Sequence, residues 1–127
     1  MYFKLPIIKT EEINGNIKKT ETEIDIEIID SIYCQIKWEQ SFPLDASKMA
    51  INDYIDIIKN TPEENRTAAH CIKMMKALFC LVEFKTQITF YDFCKMFPFS
   101  DIDFTKKLVN SINEIFATVY PDIKKNS

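Results

Sequence analysis

The first thirty residues show the alternation of apolar and polar side chains that is typical of β-strands. Residues 23–28, Glu-Ile-Asp-Ile-Glu-Ile, alternate strictly, and a weaker strand pattern covers residues 2–9. Between them lies Asn14-Gly15, the dipeptide favoured in a two-residue type I′ turn because both central positions need positive φ. We therefore predict a β-hairpin over residues 1–29.

The turn at Asn14-Gly15 also fixes which residues of the two strands face each other. The predicted opposed pairs are Phe3 with Ile26, Leu5 with Ile24, Lys4 with Asp25 and Glu11 with Lys18. Apolar side chains meet apolar ones and opposite charges meet, so the register is self-consistent. Pro6 restricts the first strand to a sheet edge or a strand end. Residues 9–21 are polar on both faces and are expected to project into solvent.

After residue 29 the apolar spacing changes to that of helices. Residues 30–43 fit both a strand and a helix, and we favour a short helix capped by Asp30 or Ser31, carrying Ile32, Ile36 and Trp38, and ended by Pro43. A second helix is expected to start from a cap at Asp45 or Ser47. Its apolar stripe comprises Ile51, Tyr54, Ile55 and Ile58.

The third predicted helix is the most apolar one. Thr61-Pro62-Glu63-Glu64 has the pattern of a capping box with proline in the first turn, so we predict a helix from there to about Phe84. Its second half, residues 74–82, is apolar on nearly all sides. A helix of this kind is expected at the centre of the fold, with partners on several faces.

Two further helices complete the prediction. Thr89 is expected to cap a short helix that runs through Phe97, and Ser100 with Asp103 to start the last helix, which Pro121 stops. The stripe of the last helix comprises Phe104, Leu108, Ile112, Ile115 and Val119. The predicted fold is α+β, a β-hairpin (1–29) followed by a bundle of four to five helices (30–120) and a frayed tail (121–127), all in a single domain of 1–127.

Composition narrows the range of functions. The chain has 127 residues, a net charge of −3, one glycine and one histidine. These counts exclude glycine-rich phosphate loops and multi-histidine metal sites, and the charge argues against nucleic acid as a partner. No apolar run approaches the ~20 residues of a membrane span, and the first residues lack the pattern of a signal peptide, so we expect a cytoplasmic protein.

The groups that could carry chemistry have simpler interpretations. The four cysteines have no C-x-x-C spacing, and His70 lies beside Cys71 on a helix, where the two side chains diverge. The carboxylates lie on polar faces or in first turns of helices. We therefore expect reduced structural cysteines, no metal, no cofactor, no catalytic residues and no enzymatic activity.

Aromatic residues, 13% of the chain, are the most notable feature left. They either pack in the core or form an exposed groove for a partner helix. The large aromatic residues near Pro43 and Pro98 are the candidates for partner binding: Trp38, Phe42, Phe97 and Phe99.

Several segments between residues 30 and 120 resemble the small tail assembly chaperones encoded by siphophages of Gram-positive hosts. The matching segments are Ser31-Ile32-Tyr33, residues 38–43 (WEQSFP), Asp53-Tyr54-Ile55, the apolar helix 74–82, residues 89–97 (TFYDFCKMF), Phe104 and Lys107-Leu108. The N-terminal hairpin has no counterpart in this pattern.

The resemblance implies a function that composition alone does not. Such chaperones bind the long helical tape measure protein, keep it soluble, help to recruit tail tube subunits around it, and are absent from the finished virion. They often self-associate, so the implied partners are the tape measure protein, the major tail tube protein and further copies of the chain. Alternative functions are a small acidic inhibitor of a host defence protein and a secretion-type chaperone.

Overall fold

The structure, a computed structural model, describes residues 1–121. It has the predicted α+β architecture, with a long N-terminal β-hairpin followed by helices, of which two have only four and five residues. The elements are β1 (Tyr2–Ile13), β2 (Asn16–Ile28), α1 (Ile32–Ser41), α2 (Pro43–Ala46), α3 (Ile51–Lys59), a 3-10 turn (Glu63–Asn65), α4 (Ala68–Leu81), β3 (Val82–Glu83), α5 (Phe90–Cys94) and α6 (Ile102–Val119).

The hairpin has the predicted turn and register. Asn14 and Gly15 both have positive φ, 53° and 81°. Every predicted pair is present, from Glu11 opposite Lys18 near the turn to Phe3 opposite Ile26 at the base. All residues from 9 to 21 are exposed, so the outer half of the hairpin does project into solvent.

The position of Pro6 follows from the hydrogen-bond pattern of this hairpin. Met1 and Ile28 exchange both backbone hydrogen bonds, at 2.7 and 3.3 Å, which makes the odd-numbered residues of β1 the hydrogen-bonded ones. Pro6 therefore faces the other way, and β1 is an edge strand in the order β1-β2-β3. Its missing N–H costs no bond within the sheet, as predicted.

The core connects the hairpin base to the helices through α4, the central helix that the sequence predicts. Met74, Leu78 and Cys80 have no exposed surface, and α4 contacts α1, α3, α5 and α6. Val82, directly after α4, pairs with Ile28 of β2 and joins the sheet to the helix.

Helix α1 confirms the helical interpretation of residues 30–43, although its buried face differs from the expected one. The Ser31 hydroxyl accepts a hydrogen bond from the Tyr33 N–H at 3.2 Å, as an N-cap does. Cys34 and Trp38 are buried, whereas Ile32 and Ile36, also expected on the apolar face, are 81% and 43% exposed.

The predicted start of the next helix is wrong. Asp45 lies in α2, and α3 begins at Ile51, after a cap residue whose side chain makes no capping bond. The Ile51 N–H instead donates to Gln35 Oε1 of α1 at 2.9 Å. The Ser47 hydroxyl bonds to its own turn, donating to the Leu44 carbonyl at 2.6 Å. The stripe from Ile51 to Ile58 is buried as predicted.

The predicted start of the central helix is also wrong. Residues 63–65 form only a 3-10 turn, and α4 starts at Ala68, seven residues after Thr61. The Thr61 hydroxyl donates to the Ile57 carbonyl at 2.7 Å, on the preceding helix. Residues 62–67 are all exposed and, apart from Pro62, polar, so a helix there would bury no apolar face, which is what stabilises most helices in proteins.

The last two helices follow the prediction more closely. The Thr89 hydroxyl accepts from the Asp92 N–H at 3.1 Å and starts α5, which ends at Cys94 and not at Phe97. Helix α6 is capped by Asp101, not by Ser100. Its predicted stripe is buried except for half-buried Val119, and its helix ends before Pro121. The predicted tail lies outside the described residues apart from Pro121.

Candidate functional site

An apolar groove with a volume of about 430 Å³ lies between α4, α5, the segment after α5 and α6. We call it the α4–α6 groove. Its lining is almost entirely apolar and consists of Ala68, Cys71, Ile72, Met74, Met75, Phe90, Tyr91, Cys94, Phe97, Pro98, Phe99, Thr105, Leu108, Val109 and Ile112.

The groove has a buried floor and an exposed rim. The floor includes Met74 and Ile112, which have 0% and 1% of their surfaces exposed. The rim includes Ile72, Tyr91 and Phe99, which are 54%, 78% and 62% exposed. Large apolar side chains that stay in water around a dry floor are typical of a binding surface for an apolar partner.

Helical spacing explains why two walls of the groove are apolar. The lining residues of α4 are at positions 68, 71, 72 and 75, and those of α6 are at 105, 108, 109 and 112. Both sets follow the i, i+3, i+4, i+7 pattern, so each helix presents one continuous apolar stripe to the groove. The third wall is α5, which the Thr89 cap starts, and Pro98 lies just beyond it.

The groove offers little chemistry. Its side chains with a hydroxyl or thiol are Thr105, Cys71 and Cys94, together with the Tyr91 phenol at the exposed rim. Burial raises the pKa of both thiols above the ordinary value, which keeps them protonated and poorly nucleophilic at neutral pH. This lining suits binding of an apolar surface and provides no pair of groups arranged for acid–base catalysis.

The four candidate binding residues separate into two groups. Phe97 and Phe99 line the α4–α6 groove. Trp38 has no exposed surface, and its indole N–H donates to the Met49 carbonyl at 3.0 Å. Phe42 is 9% exposed and packs edge-on against Phe90 with ring centroids 5.0 Å apart. Trp38 and Phe42 therefore stabilise the core and lie outside the groove.

Sequence reasoning missed two rim residues, Ile72 and Tyr91. The signal for Ile72 was present, because α4 is apolar on more faces than a two-sided packing needs. Tyr91 lies next to Phe90, whose ring contacts Phe42 and Phe79 in the core. Adjacent helical residues point about 100° apart, so burial of Phe90 turns Tyr91 outward.

One partly buried cation lies outside the groove and has a structural role. Lys37 Nζ donates to the Val82 carbonyl at 3.1 Å and lies 4.2 and 4.6 Å from the ring centroids of Phe79 and Phe84. Desolvation lowers the pKa of Lys37. The hydrogen bond and the cation–π contacts tie α1 to the junction between α4 and β3.

Other types of site find no support in residues 1–121. This part of the chain contains no group of three or more His, Cys, Asp or Glu side chains placed to hold a metal ion. None of its helices combines the length and the apolarity needed to span a membrane.

Comparison with known proteins does not assign the chain to a family. No family model matches the sequence. No curated protein and no solved structure matches it either.

Proposed function

We propose that this protein is a phage tail assembly chaperone that binds helical segments of the tape measure protein in the α4–α6 groove. In this function it keeps the tape measure protein soluble in the cytoplasm of the bacterial host, helps to recruit tail tube subunits and leaves before the virion is complete. The observation that carries the proposal is the groove itself, a dry floor bordered by the exposed side chains of Ile72, Tyr91 and Phe99.

An amphipathic helix is the partner that this groove suits best. Helix-in-groove recognition uses apolar anchors at i, i+3, i+4 and i+7, and the groove offers two helical walls of the same spacing. A pocket of this volume is also large enough for a small molecule, but such sites carry placed polar groups that orient the ligand. Thr105 is the single hydroxyl of the lining away from the rim, so the chemistry favours a peptide stripe over a polar small molecule.

The resemblance of residues 30–120 to tail assembly chaperones supplies the identity of that helix. A long amphipathic helix without a partner exposes an apolar stripe and aggregates. A small protein with a complementary groove covers that stripe without a chemical reaction. This function requires no enzyme activity and no cofactor, and self-association of the chain is part of the proposal.

The test is co-expression with the tape measure protein encoded beside this gene. We expect the wild-type chain to raise the soluble yield of the tape measure protein, and the double variant Ile72→Asp, Phe99→Asp to lose most of this effect. A charge at an exposed binding residue typically removes a hot-spot contact and leaves stability nearly unchanged.

A matched control uses equally apolar and exposed positions elsewhere. Ile32 and Leu44 are both 81% exposed and do not line the groove. Ile32→Asp, Leu44→Asp is therefore expected to solubilise the tape measure protein like the wild type, with melting temperatures checked for all three proteins. The proposal fails if the wild type gives no increase, or if the groove variant with an unchanged melting temperature still gives the full increase.

A further inference from the structure

Positive charge is concentrated around the α4–α6 groove in an otherwise acidic protein. The segment that forms the groove, residues 66–112, contains seven Lys or Arg and four Asp or Glu residues, a net charge of +3 against −3 for the whole chain. Lys73, Lys95 and Lys106 each directly follow a groove-lining residue, one on each helical wall. All three are exposed.

Two of these lysines have their charge uncompensated. Lys95 is paired with Asp92, the acidic residue next to the rim residue Tyr91, at 3.7 Å. Among residues 1–121, neither Lys73 nor Lys106 forms an ion pair. Because neighbouring helical positions are rotated by about 100°, both lie at the edge of an apolar stripe, one on α4 and one on α6.

We infer that the groove selects an amphipathic helix whose apolar stripe is flanked by acidic residues, with Lys73 and Lys106 pairing with those residues from opposite walls. The inference rests on the proposed function, since it specifies the partner of the same groove. The apolar floor provides affinity that is independent of sequence detail, and the two lysines add a preference for charge and faster encounter.

The test uses two synthetic amphipathic peptides of about 18 residues with the same leucine stripe, flanked by glutamate in one and by lysine in the other. Affinity is measured by fluorescence anisotropy. Modification of Cys71 and Cys94, which line the groove, by a thiol reagent reports whether the peptide lies there. The expected result is protection of both thiols and a preference of about threefold to tenfold for the glutamate peptide, the size of two exposed ion pairs.

A charge-reversal pair supplies the control. Lys73→Glu, Lys106→Glu should reverse the preference between the peptides. Lys18→Glu, Lys19→Glu changes the net charge equally at the exposed outer half of the hairpin and should leave the preference as in the wild type. The preference should also disappear at about 1 M salt, where the Debye length falls to about 3 Å.

The outcomes separate the inference from the proposed function. Equal binding of the two peptides, or tighter binding of the lysine peptide, overturns the inference and leaves groove binding intact. A preference that Lys18→Glu, Lys19→Glu abolishes as well also overturns it, because general net charge then explains the effect. If neither peptide protects Cys71 and Cys94, both the inference and the groove as a helix-binding site are wrong.

Discussion

At the scale of single residues, local sequence shows side-chain chemistry but not which neighbours a distant element supplies. Trp38 and Phe99 have the same appearance in the sequence, as large aromatic residues near a proline. In the fold, Trp38 meets Met49 and Tyr54, with its ring centroid 4.5 Å from that of Tyr54, whereas Phe99 is 62% exposed. Long-range packing, which the spacing of residues does not encode, decides between core and surface.

His70 is the buried polar residue for which the structure offers the least compensation. It is 5% exposed, and among the described residues its Nε2 has no hydrogen-bond partner. Desolvation, with smaller contributions from Arg66 and Lys73, lowers the pKa of His70 below its ordinary value of 6.5. An unpaired buried nitrogen of this kind costs stability, and its protonation costs more.

We therefore expect His70 to make the fold sensitive to mild acid. Its pKa is lower in the folded state, so the unfolded chain takes up the proton first, and stability falls as pH drops below about 6.5 towards the folded-state pKa. His70→Leu removes this dependence. Urea unfolding of both proteins at several pH values between 7 and 5 should show a steeper loss for the wild type, and parallel curves would show that His70 does not titrate during unfolding.

At the scale of elements, the sequence predicts best where stabilising interactions are local. The hairpin register follows from one turn and the alternation of side chains, and both are local. The starts of α3 and α4 depend on distant groups: Gln35 from α1 bonds to the Ile51 N–H, and α4 begins only near the first side chain that it buries, His70. A capping pattern such as that at Thr61 is insufficient when the following residues bury nothing.

The turn gives a prediction for the hairpin. In Gly15→Val a β-branched residue must adopt the positive φ of 81°, which costs about 1–2 kcal/mol. No atom lies within 4 Å of the position where the new Cβ would be, so the cost arises from the backbone alone. Chemical denaturation should show this loss of unfolding free energy.

Thr20→Val is the control for that experiment, since it exchanges one β-branched residue for another at an exposed position of the same hairpin. It should change stability by less than about 0.5 kcal/mol. If Gly15→Val is as stable as this control, the outer half of the hairpin opens independently of the core, and the turn does not contribute to global stability.

At the scale of the whole molecule, one continuous cluster of buried side chains extends from the hairpin base through all the long helices. The α4–α6 groove is a product of this scale, because it exists only where α4, α5 and α6 leave a gap between them. The apolar excess of α4 was visible in the sequence. The gap was not, since it depends on the relative placement of three helices.

The four cysteines provide a test of how cooperatively this core unfolds. Cys71 and Cys94 are partly exposed in the groove, whereas Cys34 and Cys80 are 2% and 0% exposed, and burial raises the pKa of Cys80 to about 12. In native buffer, a thiol reagent should modify Cys71 and Cys94 first. Because Cys34 of α1 and Cys80 of α4 belong to the same cluster, both should react only when the whole chain unfolds, and their rates should rise together as urea is added. Peptide mapping by mass spectrometry gives each rate, and the denatured chain shows that all four thiols can react. Earlier modification of Cys80 than of Cys34 would mean that the end of α4 opens locally while α1 stays packed, and the core would then consist of at least two separately unfolding parts.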